Sequence, residues 1–106
     1  MVPQRLFELV YAPIVKGHLK AIEPKYHSLI REAIEAQLRF EPDIETRNRK
    51  PLKRPVIFGT KWEIRCGPSN RFRVFYKVNH DDEQVEILAI GEKVGNRILI
   101  GGEEVQ

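Results

Sequence analysis

The sequence contains one cysteine, Cys66, among its 106 residues. A single thiol forms neither an intramolecular disulfide nor a multi-cysteine zinc site, so the fold must depend on its packed core. The sequence also lacks any apolar run long enough to span a membrane. Its first five residues lack the apolar core of a secretion signal. These absences predict a cytoplasmic protein that does not interact with membranes.

Positive charge, by contrast, is concentrated in one segment. Hydrophobic residues make up 42% of the chain and charged residues 31%, which is typical of one small domain spanning residues 1–106. The net charge is only +3, but the segment from Arg47 to Lys77 has ten basic residues and one acid, Glu63. This segment carries +9 and the remaining residues carry −6. Such asymmetry indicates a polyanionic partner, although a solvated surface has the same composition.

The first part of the chain predicts a short strand followed by a helical hairpin. Residues 6–11 are rich in β-branched and aromatic side chains, as strands are. Pro13 and Pro24 each suit the first turn of a helix, where a missing N–H is harmless. Apolar residues then recur at helical spacing as far as Leu38. Pro42 ends the second helix, because the residue before a proline avoids helical geometry.

Three further segments predict strands in the second half of the chain. Lys61–Cys66 and Arg71–Val78 alternate apolar and mostly basic residues, and Val85–Gly91 is almost wholly apolar, as in a central strand. Between the helices and these strands, residues 43–60 lack periodicity and predict a long basic loop. Residues 97–106, with two adjacent glycines, predict a flexible tail.

The alternation also predicts how two of the strands pair. Placing Cys66 opposite Phe72 keeps their apolar residues on one face, whereas a shift by one residue would bury arginine. This register puts Arg65 opposite Arg73. Like charges in opposite positions are destabilising, so we expect the crowded basic face to bind an anion. Its predicted members are Lys61, Arg65, Arg71, Arg73 and Lys77.

Several ordered motifs resemble a known family. They are Lys50-Pro51-Leu52-Lys53, Trp62-Glu63-Ile64-Arg65, Phe72-Arg73-Val74-Phe75-Tyr76-Lys77-Val78 and Ile87-Leu88-Ala89-Ile90-Gly91-Glu92-Lys93. With the preceding strand and hairpin, they resemble the RelE/ParE toxins of bacterial type II toxin–antitoxin modules over about residues 5–99. The resemblance implies an α+β fold, an antiparallel β-sheet of about four strands with an N-terminal helical hairpin packed on one face. It also implies a cognate antitoxin as partner.

RelE-like members of this family cleave messenger RNA on the ribosome, and the resemblance implies their site on the sheet face opposite the helices. Arg73 matches the arginine of the family's Y-R-x-x-Y strand. Arg65 matches a basic residue on the preceding strand, and Lys93 matches one just after the last strand. Arginine suits this chemistry because its planar fork makes two charge-assisted hydrogen bonds to a phosphate. We therefore expect these three residues to stabilise the phosphate during cleavage.

The general base is less well defined by the sequence. Glu63 is one candidate, although it also suits a cross-strand ion pair, and a lysine of lowered pKa, Lys50 or Lys53, is the other. Phe75 is expected on the basic face, where it is a candidate for stacking on a base. The predicted RNA-binding residues are Lys50, Lys53, Arg54, Lys61, Arg71, Phe75 and Lys77.

The resemblance therefore predicts a ribosome-dependent endoribonuclease that needs no cofactor and no metal ion. The chain departs from some RelE-like members, which use a tyrosine near the C-terminus, because it has Leu99 there. Two alternatives stay open. One is a ParE-like poison of DNA gyrase, which the missing tyrosine favours, and the other is a degenerate member that only binds its antitoxin.

Overall fold

The structure, a computed structural model, describes residues 6–54 and 59–105. Within these residues the elements are β1 (Glu8–Tyr11), α1 (Val15–Lys20), α2 (His27–Leu38), β2 (Arg49–Pro51), β3 (Trp62–Cys66), β4 (Phe72–Asn79), β5 (Gln84–Val94), β6 (Arg97–Ile100) and β7 (Glu103–Glu104). Short 3₁₀ turns, Pro24–Tyr26 and Pro68–Asn70, precede α2 and β4. No helix in the described ranges is long and apolar enough to cross a membrane.

The strands form one sheet in which β5 has neighbours on both sides. Strands β2 to β7 are antiparallel neighbours in chain order. The first part of β5 pairs in parallel with β1, and its last part pairs with β6, because eleven residues are long enough for two partners on one edge. The α+β fold with an antiparallel sheet is confirmed. The predicted number of about four strands is too small, since the described residues form seven and β1 runs parallel to β5.

Both helices pack on the same face of the sheet, and the main core lies between them and the strands. Ile30 and Ile34 of α2 are buried in the same apolar cluster as Val74 and Tyr76 of β4. The Tyr76 hydroxyl donates a hydrogen bond of 2.5 Å to the carbonyl of Pro42, and burial raises the pKa of this tyrosine. A buried phenol needs such a partner, so this bond ties the chain that leaves α2 to the middle of the sheet.

The predicted register between β3 and β4 is confirmed. Cys66 lies opposite Phe72, and Arg65 lies opposite Arg73. The alternation holds because a shift would exchange the buried and exposed faces of both strands. We call the sheet face away from α1 and α2, which carries Glu63, Arg65 and Arg73, the outer face.

An irregularity interrupts the pairing of β4 with β5. Phe75 lies opposite Ala89 and Tyr76 opposite Ile87, so one residue of β5 has no partner in β4. Past this bulge, the N–H of Ile90 donates a hydrogen bond of 3.2 Å to Nδ1 of His18 in α1. His18 is buried, and burial lowers its pKa. Ile90 lies between the part of β5 that pairs with β1 and the part that pairs with β6, and the imidazole of His18 is the acceptor for its N–H there.

The prediction of a flexible tail at residues 97–106 is wrong for residues 97–104, which form β6 and β7. Gly101 and Gly102 are the two turn residues of this hairpin, and their positive φ angles of 63° and 82° suit a tight two-residue turn. Ile100 is buried with Phe75 in a small apolar cluster separate from the main core. Adjacent glycines occur both in flexible tails and in hairpin turns, so this sequence pattern does not distinguish the two.

The predicted loop at residues 43–60 contains a strand that the sequence does not reveal. Strand β2 pairs with β3, and Lys50 lies opposite Glu63. Pro51 at the end of β2 hides this strand in the sequence, but an edge strand tolerates proline since one side makes no ladder. Pro55, the last proline of the predicted loop, lies outside the described residues.

Candidate functional site

Two arginines and one glutamate form a charged cluster on the outer face. Nε and Nη2 of Arg65 donate to Oε1 of Glu63 at 3.1 and 3.0 Å. Nη1 of Arg73 lies 3.7 Å from Oε2 of the same carboxylate. The structure therefore places all three on the predicted face, and Glu63 forms a cross-strand ion pair with Arg73, which was one of its two predicted roles.

The members of this cluster differ in exposure. The Glu63 and Arg73 side chains are 9% and 10% exposed, whereas Arg65 is 37% exposed. Burial lowers the pKa of Arg73, and the nearby Glu63 carboxylate opposes this effect. Nε of Arg73 also donates to the carbonyl of Asn70 at 3.3 Å. Arg73 is thus a fixed cation at the base of the site, and Arg65 is the one that a ligand meets first.

A groove with a volume of about 470 Å³ opens beside this cluster. The groove lies between β3 and the segment that contains β2. Its charged lining residues are Glu45, Lys50, Lys53, Glu63 and Arg65. Nζ of Lys50 lies 3.4 Å from a carboxylate oxygen of Glu45. The structure therefore brings together four of the predicted site residues, and each acid of the groove pairs with one of its cations.

Arg49 holds the strand that carries Lys50, and sequence reasoning missed this role. Its side chain is buried and donates to the carbonyls of Gln37 at 2.6 Å and Ile44 at 2.9 Å. Gln37 lies in the last turn of α2, where carbonyls lack helical partners and attract a cation. Arg49 lies opposite the core residue Ile64 in the β2–β3 register. The burial of Arg49 could therefore be predicted once residues 49–51 are recognised as a strand.

Lys93 lies on the outer face, two residues after Gly91, which is opposite Arg73. Its side chain is exposed. Lys61 and Arg54 are also exposed, outside the groove. Lys77 pairs with Glu86 across the β4–β5 ladder at 3.6 Å, beside a different cavity lined by the β4–β5 turn. The register places both Lys93 and Lys77 on the outer face, Lys93 two residues after the partner of Arg73 and Lys77 toward the β4–β5 turn.

Arg71 is not on the outer face, and its predicted place there is wrong. Its guanidinium pairs with Glu92 and lies 5.0 Å from the ring centroid of Tyr26, on the helix side of the sheet. Arg71 has helical backbone angles after the 3₁₀ turn, so the alternation of β4 begins only at Phe72. This arginine packs the 3₁₀ turn before α2 against the sheet.

Phe75 faces away from the helices as predicted, but it is only 2% exposed. Ala89 and Ile100 are buried with it, and Leu52, Ile98 and Val105 pack around them. The prediction that Phe75 stacks on a base is therefore wrong, because its ring is buried. The cover comes from Leu52, which follows β2, and from residues of β6 and the end of the chain.

Leu99, which stands where some RelE-like members use a tyrosine, lies away from the charged cluster. It pairs with Glu92 and lines a small cavity with His18 and Ala21, on the helix side of the sheet. Among the described residues that line the groove there is neither tyrosine nor histidine. Proton transfer in the groove would therefore depend on Glu63 or a lysine.

The fold resembles that of a known toxin–antitoxin system. One chain of the RelBE2 toxin–antitoxin complex from Mycobacterium tuberculosis superimposes with a TM-score of 0.64 and 22% sequence identity, over 83% of this chain and 99% of that chain. No family model matches the sequence, and no curated protein matches it. The chain therefore has a RelE-like fold, as the sequence motifs predicted.

Proposed function

We propose that this chain is the toxin of a toxin–antitoxin pair, and that it inhibits translation by cleaving messenger RNA on the ribosome in the cytoplasm. The observation that carries the proposal is the groove of Lys50, Lys53 and Arg65 beside the buried Arg73, on the outer face of a RelE-like sheet. Cations gathered along a groove suit a phosphate backbone, which carries one negative charge per nucleotide.

Cleavage at such a site needs no metal ion. The ribose 2′-oxygen attacks the adjacent phosphorus, and the bond from phosphorus to the 5′-oxygen of the next nucleotide breaks. The products are a 2′,3′-cyclic phosphate and a 5′-hydroxyl. Arg65 and Arg73 stabilise the extra negative charge on the phosphate, and the Lys93 ammonium neutralises the leaving 5′-oxygen by giving it a proton. The 2′-hydroxyl proton passes to Glu63, or to Lys50 or Lys53 in its neutral form.

The proposed partner is a cognate antitoxin protein. The similar solved structure is a complex of toxin and antitoxin, and the +9 segment of this chain favours an acidic protein segment as well as RNA. A protein that covers the groove would exclude messenger RNA from it. Co-expression of the antitoxin is therefore expected to restore growth.

The test is induction of the chain in growing bacteria, followed by primer extension on their messenger RNA. Growth arrest with discrete cuts inside translated codons is the expected result. The lack of a tyrosine or histidine among the described groove residues favours the ParE-like alternative, which predicts intact transcripts with double-strand DNA breaks. Normal growth at high levels of folded protein would contradict any toxin function.

A further inference from the structure

We propose that Glu63 is an internal competitor for the anion site of Arg65 and Arg73, so that a phosphate group binds there by displacing the Glu63 carboxylate. The inference rests on the proposed function and concerns the regulation of the same site. In the free protein the site is occupied by the chain's own carboxylate, and a nucleic acid must replace it.

The Glu63 carboxylate occupies the donors that a phosphate would use. Nε and Nη2 of Arg65 are the two parallel donors of the guanidinium fork, which binds carboxylate and phosphate in the same way. Both donate to one carboxylate oxygen, at 3.1 and 3.0 Å. A phosphate oxygen cannot bind this edge of Arg65 until the carboxylate leaves it.

The same carboxylate lies farther from Arg73 than from Arg65. The 3.7 Å between its Nη1 and Oε2 of Glu63 exceeds hydrogen-bond length, although the guanidinium is nine-tenths buried. A phosphate has more acceptor oxygens than a carboxylate and can bridge two guanidinium groups. The cluster is therefore a two-arginine anion site that Glu63 fills incompletely.

The register explains why the free protein needs this internal anion. Arg65 and Arg73 lie directly opposite each other, which is destabilising for like charges. Glu63 offsets their repulsion when no ligand is bound. A bound phosphate supplies the same negative charge, so Glu63 is then free to leave. It is also then free to accept a proton.

The groove provides both the entrance and a place for the released carboxylate. Arg65 and Glu63 line the groove together, and Arg65 is 37% exposed. Lys50 lies opposite Glu63 in the β2–β3 ladder, so a cation is available to the displaced side chain. The exposed pair of Lys50 with Glu45 lies in the same groove and gives a matched comparison.

The first experiment compares Glu63→Gln with Glu45→Gln, which each remove one negative charge from the groove. The probe is a fully 2′-O-methylated oligouridylate, which cannot be cleaved by its own 2′-oxygen, and binding is measured by fluorescence anisotropy at fixed ionic strength. We expect Glu63→Gln to bind roughly tenfold more tightly than the wild type, because a charge-assisted competitor is removed. Glu45→Gln changes only an exposed pair and is expected to gain about threefold or less. Equal gains in the two variants, or none in Glu63→Gln, would overturn the proposal.

A second experiment uses the wild-type protein and inorganic phosphate, so it depends neither on the folding of a variant nor on RNA. The Nε–H resonances of Arg65 and Arg73 and the carboxylate resonance of Glu63 are followed by NMR as phosphate is added. All three are expected to shift together. Arginine shifts without a Glu63 shift, or no shift in any of them, would overturn the proposal. Failure of RNA cleavage alone would count against the proposed function and leave this result unaffected.

Discussion

Arg71 and Arg73 are two residues apart in the sequence, yet they lie on opposite sides of the sheet. Arg71 pairs with Glu92 and contacts the Tyr26 ring beside the helices, whereas Arg73 lies on the outer face next to Glu63. Arg71 therefore stabilises the fold, whereas Arg73 belongs to the proposed site. The comparison shows that charge density along the sequence does not define a binding surface until the face of each residue is known.

The largest expected effect separates these two arginines directly. Arg73→Ala removes a donor at the proposed phosphate site and is expected to lower the rate of ribosome-dependent cleavage by about 10²–10³-fold. Arg71→Ala is expected to lower the melting temperature and to leave cleavage per folded molecule unchanged. Cleavage in a translation extract and thermal melting of both variants measure this. Equal loss of cleavage in the two would contradict the assignment of faces.

Stability provides the next contrast, between the cores on the two sides of the sheet. Phe72→Ala opens the main core and is expected to cost about 3–5 kcal/mol of unfolding free energy. Phe75→Ala opens the smaller outer cluster, whose neighbours Leu52 and Val105 are only partly buried, so a smaller loss is expected. Urea unfolding of both variants tests the order, and a greater loss for Phe75→Ala would reverse it.

Acid is expected to weaken the attachment of α1 to β5 more than it weakens the outer face. Burial holds the pKa of His18 below its ordinary value of about 6.5, so the unfolded chain binds the proton more tightly. The stability that depends on neutral His18 is present above about pH 6.5 and is lost as the pH falls below it. His18→Asn keeps an acceptor for Ile90 that does not titrate, and we expect it to reduce the fall in melting temperature between pH 7 and 5. His27→Asn is the control on α2, and an unchanged fall in His18→Asn would contradict the role of His18.

Salt dependence tests the outer face with a smaller expected change. If Lys50, Lys53, Arg65, Arg73 and Lys93 contact phosphates, binding to single-stranded RNA should weaken with a log–log slope of about −3.5. Lys53→Ala should reduce the magnitude of that slope by about 0.7, and Arg71→Ala should not change it. A flat salt response of the wild type would contradict a polyanion site on this face.

The smallest effect is expected at Phe75. Phe75→Leu keeps an apolar side chain in the outer cluster, and we expect RNA affinity to stay within about twofold, because a buried ring stacks no base. A stacked base would be worth roughly 1–3 kcal/mol, or about 5- to 150-fold in affinity. Fluorescence anisotropy with the uncleavable oligouridylate distinguishes the two, and a tenfold loss would show that the ring is accessible.

The sequence predicted the β3–β4 register correctly because alternation over two amphipathic strands allows one pairing that buries no arginine. It predicted Arg71 wrongly because a turn residue with helical angles does not take part in that alternation. It missed β6 and β7 because their stability depends on contacts with Phe75 and Ala89, which are distant in the chain. The sequence also did not predict the burial of Arg49. Pro51 obscured strand β2, and the carbonyls that accept hydrogen bonds from the Arg49 side chain belong to α2 and the loop after it.

The most direct test of the central claim is to map where RNA touches the protein. The backbone and arginine NMR signals of the wild type are followed as the uncleavable oligouridylate is added. The largest shifts are expected at Lys50, Lys53, Arg65 and Arg73, with Arg71 and both helices nearly unchanged. Shifts concentrated on Arg71, α1 or α2 would place the RNA on the other side of the sheet and contradict the assignment of the outer face as the binding surface.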